Sequence, residues 1–353
     1  MARKKKSSFG KKLALSLTAF LVIIAASVGW YYYNLIFVKD NVTLEKGKET
    51  YLFIPTNADY GRVKQALLTN GFLIDEASFD WVAQLKKYPQ NVKAGKFKLR
   101  EGMTNNELVN LLRLSANQTP VKITFTSQTQ LTELAALIDQ KLEADSAAFM
   151  ALIQSRESEE KWGINDTTWY AHFIPNTYEF FWNTSALEFM ERMQKERSNF
   201  WNADRLKKAK DKGLSTLEAV TLASIVQAET RKRDEMPKVA GLYLNRLETG
   251  MKLQADPTVK FAVGDPSLRR IYYKHLEVES PYNTYKNKGL PPGPISMPAT
   301  TAVDAVLNAK NHNYIYMCAR PDYSGYHNFA ASYQQHLANR RKYTAFLRQQ
   351  GIR

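Results

Sequence analysis

Hydrophobic and polar positions follow three rhythms along this chain, and each rhythm predicts a kind of element. From Leu13 to Val38 no Asp, Glu, Lys, Arg or His interrupts 26 consecutive residues, more than the roughly 20 that a helix needs to cross a bilayer. The run turns aromatic at Trp30-Tyr31-Tyr32-Tyr33, the composition of an interfacial belt, so one spanning helix is predicted over 13–33. A cleaved leader is the competing reading, with Ala25-Ala26-Ser27 as processing residues, but its apolar core is only about 7 to 15 residues long. Beyond the anchor, Tyr51 to Pro55 reads as a short strand closed by proline. Helical spacing follows around Val63 to Leu68 and from Phe79 to Leu85, and Gly95 to Leu99 alternates with the period of a strand. Thr104-Asn105-Asn106-Glu107 has the form of a capping box and opens a helix with Leu108, Leu111 and Leu112 on one face.

The strand, helix, helix, strand order over 45–118 is similar to a LysM-like fold, a class that grips glycans containing N-acetylglucosamine. Ser115 to Pro120 forms a polar joint, and Val121 to Thr126 alternates into a strand of a second, larger domain spanning 119–353. Leu131 to Phe200 reads as mostly helical with a break at Ala171 to Tyr178, and Leu214 to Leu247 as helix-rich. Asp256 to Pro298 reads as a loop region rich in proline and glycine, Tyr314 to Met317 as a strand, and the C-terminus as a basic helix. The predicted class is α+β: a single transmembrane helix, a small module, then a mixed α/β domain.

Composition and charge narrow the function. The 353 residues carry a net charge of +15. Six of the excess charges, Arg3, Lys4, Lys5, Lys6, Lys11 and Lys12, form a basic tail over 1–12, and no acid precedes Asp40. By the positive-inside rule this tail stays cytoplasmic and the chain from about residue 40 is exported, which places the protein in the cytoplasmic (inner) membrane as a single-pass protein. The remaining basic excess suits an anionic surface, and export leaves the membrane and the cell wall as partners rather than nucleic acid. A single cysteine, Cys318, excludes an internal disulfide framework or a Cys-based zinc site, and reads as a small core residue. His172, His275, His312, His327 and His336 have no recognised ligand spacing, so neither a metal nor another cofactor is expected.

The chemistry-bearing candidate emerges from helical counting. Ser215-Thr216-Leu217-Glu218 is a second capping box, and in the helix it starts, Leu222, Ile225, Val226 and Glu229 fall at i, i+3, i+4 and i+7. Glu229 therefore lies on the apolar stripe. Poor solvation there raises a carboxyl pKa and keeps its proton near neutral pH, as a general acid requires. Arg231, Lys232 and Arg233 would oppose that shift if they approached. Asp234 is placed to cap a following helix whose core face is Val239, Leu242, Tyr243 and Leu247, with Gly250 as its stop. Rigid loops then present amide and aromatic side chains, a surface suited to sugar hydroxyls, acetamido groups and ring faces.

The string Ala223-Ser224-Ile225-Val226-Gln227-Ala228-Glu229-Thr230 stands with Asn245-Arg246-Leu247, Leu253-Gln254-Ala255-Asp256-Pro257-Thr258, Tyr282-Asn283-Thr284-Tyr285 and Gly289-Leu290-Pro291-Pro292-Gly293-Pro294-Ile295. Together with Phe173 to Tyr178 upstream and His327-Asn328-Phe329 and His336 downstream, it resembles the YceG-like endolytic murein transglycosylases (MltG). The resemblance covers nearly everything after the anchor and makes 119–353 a YceG-like catalytic domain. It implies cleavage, without water, of the β-1,4 bond from N-acetylmuramic acid to N-acetylglucosamine in nascent peptidoglycan strands, leaving 1,6-anhydro ends and ending strand growth beside the wall-synthesis polymerases. Glu229 takes the family's catalytic position. Gln254, Asn283 and Tyr285 are expected to orient sugar groups, with Asn245, Asp256, Tyr282 and Thr284 completing the substrate-binding set, although Asp256 before proline also suits a turn. Gln227 departs from the family pattern, in which many members carry a second glutamate, and this tells against a two-carboxylate mechanism at that position.

Two rival functions remain at this point. A hydrolytic muramidase would use Asp256 as a second carboxylate and leave reducing ends. A membrane-anchored, non-catalytic glycan-binding scaffold would use the small module and leave Glu229 dispensable.

Overall fold

A computed structural model describes residues 8–351 of the chain except Lys46 and Pro266. Arg3, Lys4, Lys5 and Lys6 of the basic tail lie outside the described residues. The chain divides into two compact units, residues 1–121 with 180–183, and residues 122–179 with 184–353.

The first unit begins with α1 (Ser8–Phe37), of which Gly10–Phe37 is long and apolar enough to span a membrane. There follow β1 (Thr50–Ile54), α2 (Tyr60–Thr69), α3 (Glu76–Leu85), β2 (Gly95–Leu99) and α4 (Asn105–Leu112). β1 and β2 pair antiparallel, Leu52 opposite Phe97. Their inward residues Leu52, Ile54, Phe97 and Leu99 pack with Val63, Leu67, Phe79, Val82 and Leu108 in one core. The local codes explain the helix starts. Asp59 and Asp75 cap α2 and α3 through their side chains, and Thr104 and Glu107 close a reciprocal capping box on α4.

In the second part of the chain β3 (Val121–Phe125) pairs with β4 (Asn176–Phe180), and α5 (Leu131–Lys141), α6 (Ser146–Ile153) and α7 (Arg156–Trp162) lie between them in sequence. Next come α8 (Ala186–Phe200), α9 (Ala203–Asp211), α10 (Thr216–Glu229), α11 (Met236–Glu248), α12 (Asp256–Val263), α13 (Tyr273–Leu276) and α14 (Thr300–Leu307). The antiparallel pair β5 (Tyr316–Ala319) and β6 (His327–Ala330) and the basic helix α15 (Tyr333–Gln349) complete the chain. Cys318 is half-buried on β5, and this burial pushes its thiol pKa up.

Three expectations need correction. The helix ending in Glu229 carries no simple apolar stripe: Ala219 through Val226 are all buried, because α9, α11, α12 and α14 pack around it. A helix buried on every side is a core helix, and Ala219, Ala223 and Ser224 are small enough to let its neighbours approach. Asp234 does not cap α11, which starts after Glu235 without a side-chain cap. Its carboxylate instead accepts a hydrogen bond from Tyr326 Oη at 3.1 Å. Finally, Asp256 to Pro298 is not all loop. Asp256 opens α12 with Pro257 in the first turn, where proline's missing N–H removes no helical bond.

Candidate functional site

Glu229 ends α10, a helix opened by the reciprocal capping box of Ser215 and Glu218. After it, Thr230 leaves the helix in an extended conformation. The side chain is set deep in protein but keeps part of its surface open to solvent. Burial raises its pKa to about 7, a hydrogen bond from Tyr243 and the positive field of Arg246 pull it down, and the negative field of Asp256 pushes it up. The Tyr243 hydroxyl, from the buried face of α11, donates to Oε1 at 2.8 Å. Arg231, Lys232 and Arg233 contribute nothing to the balance: the chain turns away from α10 at Thr230, and the cation that acts on Glu229 is Arg246.

Arg246 is buried and donates from Nε to the carbonyl of Ile315 at 2.7 Å and from a terminal nitrogen to the carbonyl of Leu253. It thereby ties α11 to the segment just before β5 and to the Leu253-Gln254-Ala255 turn that delivers Asp256. Asp256 is exposed at the start of α12 and accepts a hydrogen bond from Tyr285 Oη at 2.7 Å. Gln254 is exposed too, with φ of 47°, a left-handed conformation uncommon for a residue with a side chain. The turn is held by Thr284: Gln254 N donates to its carbonyl at 3.2 Å and Ala255 N to its hydroxyl at 3.0 Å, while Thr258 shares a bond with the same hydroxyl at 2.8 Å.

The residues expected to bind sugar therefore separate into two groups. Glu229, Asp256 and Tyr285 are electrostatically coupled, and Gln254 sits on the turn beside Asp256 with its side chain toward solvent. Asn283 is fully buried and donates to the carbonyls of Leu276 and Val278, both at 2.9 Å. Thr284 is buried with its hydroxyl occupied as above, and Asn245 donates to the carbonyls of His312 and Tyr314 at 2.7 and 2.9 Å. These three side chains use these polar groups to hold the loops. Tyr282 packs its ring on Phe261, centroids 4.6 Å apart.

The Gly289 to Ile295 loop is fastened to the same helix. Ile295 N donates to Ser224 Oγ at 3.1 Å and Ala299 N to Gln227 Oε1 at 2.8 Å. Gln227 thus serves as a backbone clamp, a task for which its neutral amide oxygen needs no proton. Just past the site, Glu235 is buried and accepts at Oε1 from His327 N at 2.8 Å and at Oε2 from Thr230 Oγ1 at 3.0 Å, with His327 Nδ1 at 2.9 Å from the same Oε2. From sequence Tyr243 reads only as a core-face residue and Arg246 only as part of the Asn245-Arg246-Leu247 motif, and Glu235 is not singled out. The available signal for Tyr243 was a tyrosine on a core face, since a buried phenol needs a partner for its hydroxyl.

A cleft of about 960 Å³ is lined by Lys212, Glu218, Asn245, Leu290, Pro291 and His312 among others, but not by Glu229. Its Glu218 lies in the first turn of α10, about 16 Å along the helix from Glu229, and is engaged with Ser215 N at 2.8 Å. Of these two glutamates, Glu229 is therefore the candidate for proton transfer. Among the described residues no three His, Cys, Asp or Glu side chains cluster as a metal site would need.

The model of the YceG-like family matches residues 52–342. This chain belongs to the YceG-like family. Within it, the chain is similar to the endolytic murein transglycosylase of Bacillus subtilis (strain 168), 27% identical over 304 residues that cover 82% of this chain and 83% of that protein. It is also similar to the endolytic murein transglycosylase of Streptococcus pneumoniae serotype 2 (strain D39), 26% identical over 350 residues and covering 88% of this chain, but it spans only 61% of that longer relative. A crystal structure of a yceG-like protein from Listeria monocytogenes superposes with a TM-score of 0.54 at 25% identity, covering 82% of this chain and 98% of that one.

The hydrogen bond to Glu229 has a sign that can be measured. Tyr243 donates to the charged form and so lowers the Glu229 pKa. Tyr243→Phe is expected to raise it, moving the alkaline fall in kcat/KM upward by about one pH unit, on the scale of a hydrogen bond to a charged group. A pH–rate profile unmoved within a few tenths of a unit would contradict the assignment.

Proposed function

We propose that this protein is a membrane-anchored lytic transglycosylase that cleaves the β-1,4 bond from N-acetylmuramic acid to N-acetylglucosamine within peptidoglycan strands. The observation that carries this reading is the Glu229 carboxyl: secluded, with a pKa near 7, and bonded through Oε1 to Tyr243 in a chain of the YceG-like family. Such a group holds its proton at neutral pH and can also release it, the property required of one residue that acts first as acid and then as base.

In the reaction, protonated Glu229 gives its proton to the glycosidic oxygen as the bond to the muramoyl C1 breaks. The resulting carboxylate then takes the proton from the C6 hydroxyl, whose oxygen bonds to C1 and closes the 1,6-anhydro ring. Glu229 ends as it began, and no water is consumed. Tyr243 occupies Oε1, leaving Oε2 for the proton transfers. The Tyr243 hydrogen bond and the positive field of Arg246 stabilise the transient carboxylate. Exposed Gln254 and the Asp256–Tyr285 pair line the approach and are assigned to the sugar groups flanking the bond, while Asn245, Asn283 and Thr284 hold the loops.

The apolar helix α1 supports an anchor with its basic N-terminal tail in the cytoplasm, which keeps cleavage close to the membrane where strands emerge from the polymerases. The β1-α2-α3-β2 order supports a LysM-like glycan grip for the small module.

One observation favours hydrolysis as a second reading. Asp256 is exposed and close enough for its charge to raise the Glu229 pKa, so it is positioned to activate water. Product ends separate the two. The full chain incubated in detergent with uncrosslinked murein strands is expected to yield internal cuts with 1,6-anhydro ends by mass spectrometry, whereas reducing ends would overturn the transglycosylase reading. Asp256→Asn is expected to keep the anhydro products and to lose less than about tenfold in kcat/KM at pH 7, since a full acid or base role is typically worth 10²–10⁴-fold. A loss beyond 10² would make Asp256 a second catalytic carboxylate.

A further inference from the structure

We infer that α3 lies on the membrane surface, its outer face inserted in the lipid headgroup layer as a second, interfacial contact. The inference rests on the reading of α1 as a spanning helix. The rise from Leu13 to Tyr32 is about 28 Å at 1.5 Å per residue, close to the roughly 30 Å hydrocarbon thickness, so Tyr32 and its aromatic neighbours mark the interface. The Tyr32 ring stacks on Trp81 of α3 with centroids 4.7 Å apart. Trp81 is therefore at belt level.

Trp81 belongs to an outward apolar line. Ala77, Trp81 and Leu85 follow one another at helical spacing in α3, Trp81 and Leu85 are 38% and 58% exposed, and Ile74, just before the helix, is 57% exposed. The opposite face, Ser78, Phe79, Val82 and Ala83, is buried in the module, so the line is not a core face left unpacked by a shift in register. Its flanks are polar: Glu76 and Asp80 on one side share the single cation of Lys64 at 2.9 and 3.8 Å, and Lys87 follows the helix exposed to solvent. An apolar line flanked in this way, continuous with an aromatic belt, suits a lipid interface.

The attitude of α3 to the anchor is fixed by a buried polar knot. Asn105 Nδ2 donates to the carbonyl of Leu35 in α1 at 3.1 Å and to Ser78 Oγ in α3 at 3.0 Å. Asn41, just after α1, donates to Asn105 Oδ1 at 2.6 Å and to the carbonyl of Asp75 at 2.9 Å, and its own oxygen accepts from Asp75 N at 2.6 Å. Asn41, Ser78 and Asn105 are buried, and breaking such a network leaves unpaired groups. The spanning helix and α3 consequently move as one piece.

The test uses the full chain with Cys318→Ala in lipid nanodiscs, carrying a single environment-sensitive fluorophore on Leu85→Cys, on Ser115→Cys as an exposed control in the same unit, or on Leu21→Cys within the anchor. Lipid with a nitroxide near the carbonyl group should quench the Leu85 label by about half or more, as expected for a residue 5–10 Å into the interface, and leave the Ser115 label bright. Lipid with a nitroxide deep in the chain should quench the Leu21 label. Quenching at Leu21 without quenching at Leu85 would overturn the interfacial contact and leave the anchor intact. Quenching at neither would overturn the anchor and the contact that rests on it.

Discussion

Glu229→Gln is expected to abolish strand cleavage, lowering kcat/KM by about 10⁴-fold, the upper end for general acid and base catalysis, because in the proposed mechanism both proton transfers pass through this one carboxyl. The amide keeps the size and can still meet the Tyr243 hydroxyl, so the fold should survive. Stability supplies an independent readout. The folded carboxyl keeps its proton to about pH 7, whereas in the unfolded chain it is released near 4.5. Between those values the native state binds the extra proton, and stability falls as pH rises through the window. The stabilisation is complete below 4.5 and gone above 7, and it amounts to roughly 2–3 kcal/mol after allowance for residual solvent contact. Urea denaturation of Glu229→Gln should lack this component, making the variant the more stable form at pH 8 and inactive at every pH. A variant that still cuts strands at the native rate would dismiss Glu229 as the proton carrier.

Gly293→Ala is expected to cost about 3 kcal/mol or more, the upper range for overpacking, and to lower Tm by roughly 6–12 °C for a domain of this size. A Cβ at Gly293 would sit 1.9 Å from the carbonyl oxygen of Thr167 and 3.3 Å from Tyr282 Oη, and a backbone carbonyl cannot swing aside as a flexible side chain can. The strain would pass along the loop to Ile295 and Ala299, whose N–H groups dock on Ser224 and Gln227 of α10, so activity should fall with stability. Gly289→Ala is the control: its Cβ meets nothing, but φ is 81°, which limits the cost to about 1–2 kcal/mol. A melt of Gly293→Ala within one or two degrees of the native chain would show that Thr167 yields and that the close approach is not a constraint.

The elements most legible in the sequence were those written in short-range code. The capping boxes at Thr104 and Ser215 formed with their partners Glu107 and Glu218, because a side chain reaching its own first turn needs nothing beyond three residues. The alternation of Gly95 to Leu99 became β2, and the uncharged run after Leu13 became a helix long enough to span a bilayer. Other elements drifted or were missed. The expected strand at Tyr314 begins at Tyr316, since Tyr314 O is taken by Asn245 and the pairing with β6 starts only opposite Ala330. The helix at Asp256 was hidden by its proline, which reads as a breaker unless it falls in a first turn.

By itself, then, the sequence determined where α10 starts, that Glu229 stands near its end in line with Leu222 and Ile225, and that an apolar helix precedes everything else. Only the tertiary structure decided what surrounds that carboxyl. Tyr243 reaches it from another helix, Asp256 and Arg246 bias it from opposite signs, and Asn283 and Thr284 turn inward to hold a loop instead of outward to a sugar. The physical reason is range. Capping and periodicity act over one or two turns of chain, while the pKa of a carboxyl depends on every charge and every excluded water within several ångströms. Those neighbours are Tyr243, Arg246 and Asp256, which lie 14, 17 and 27 positions further along the chain, and they are chosen by packing.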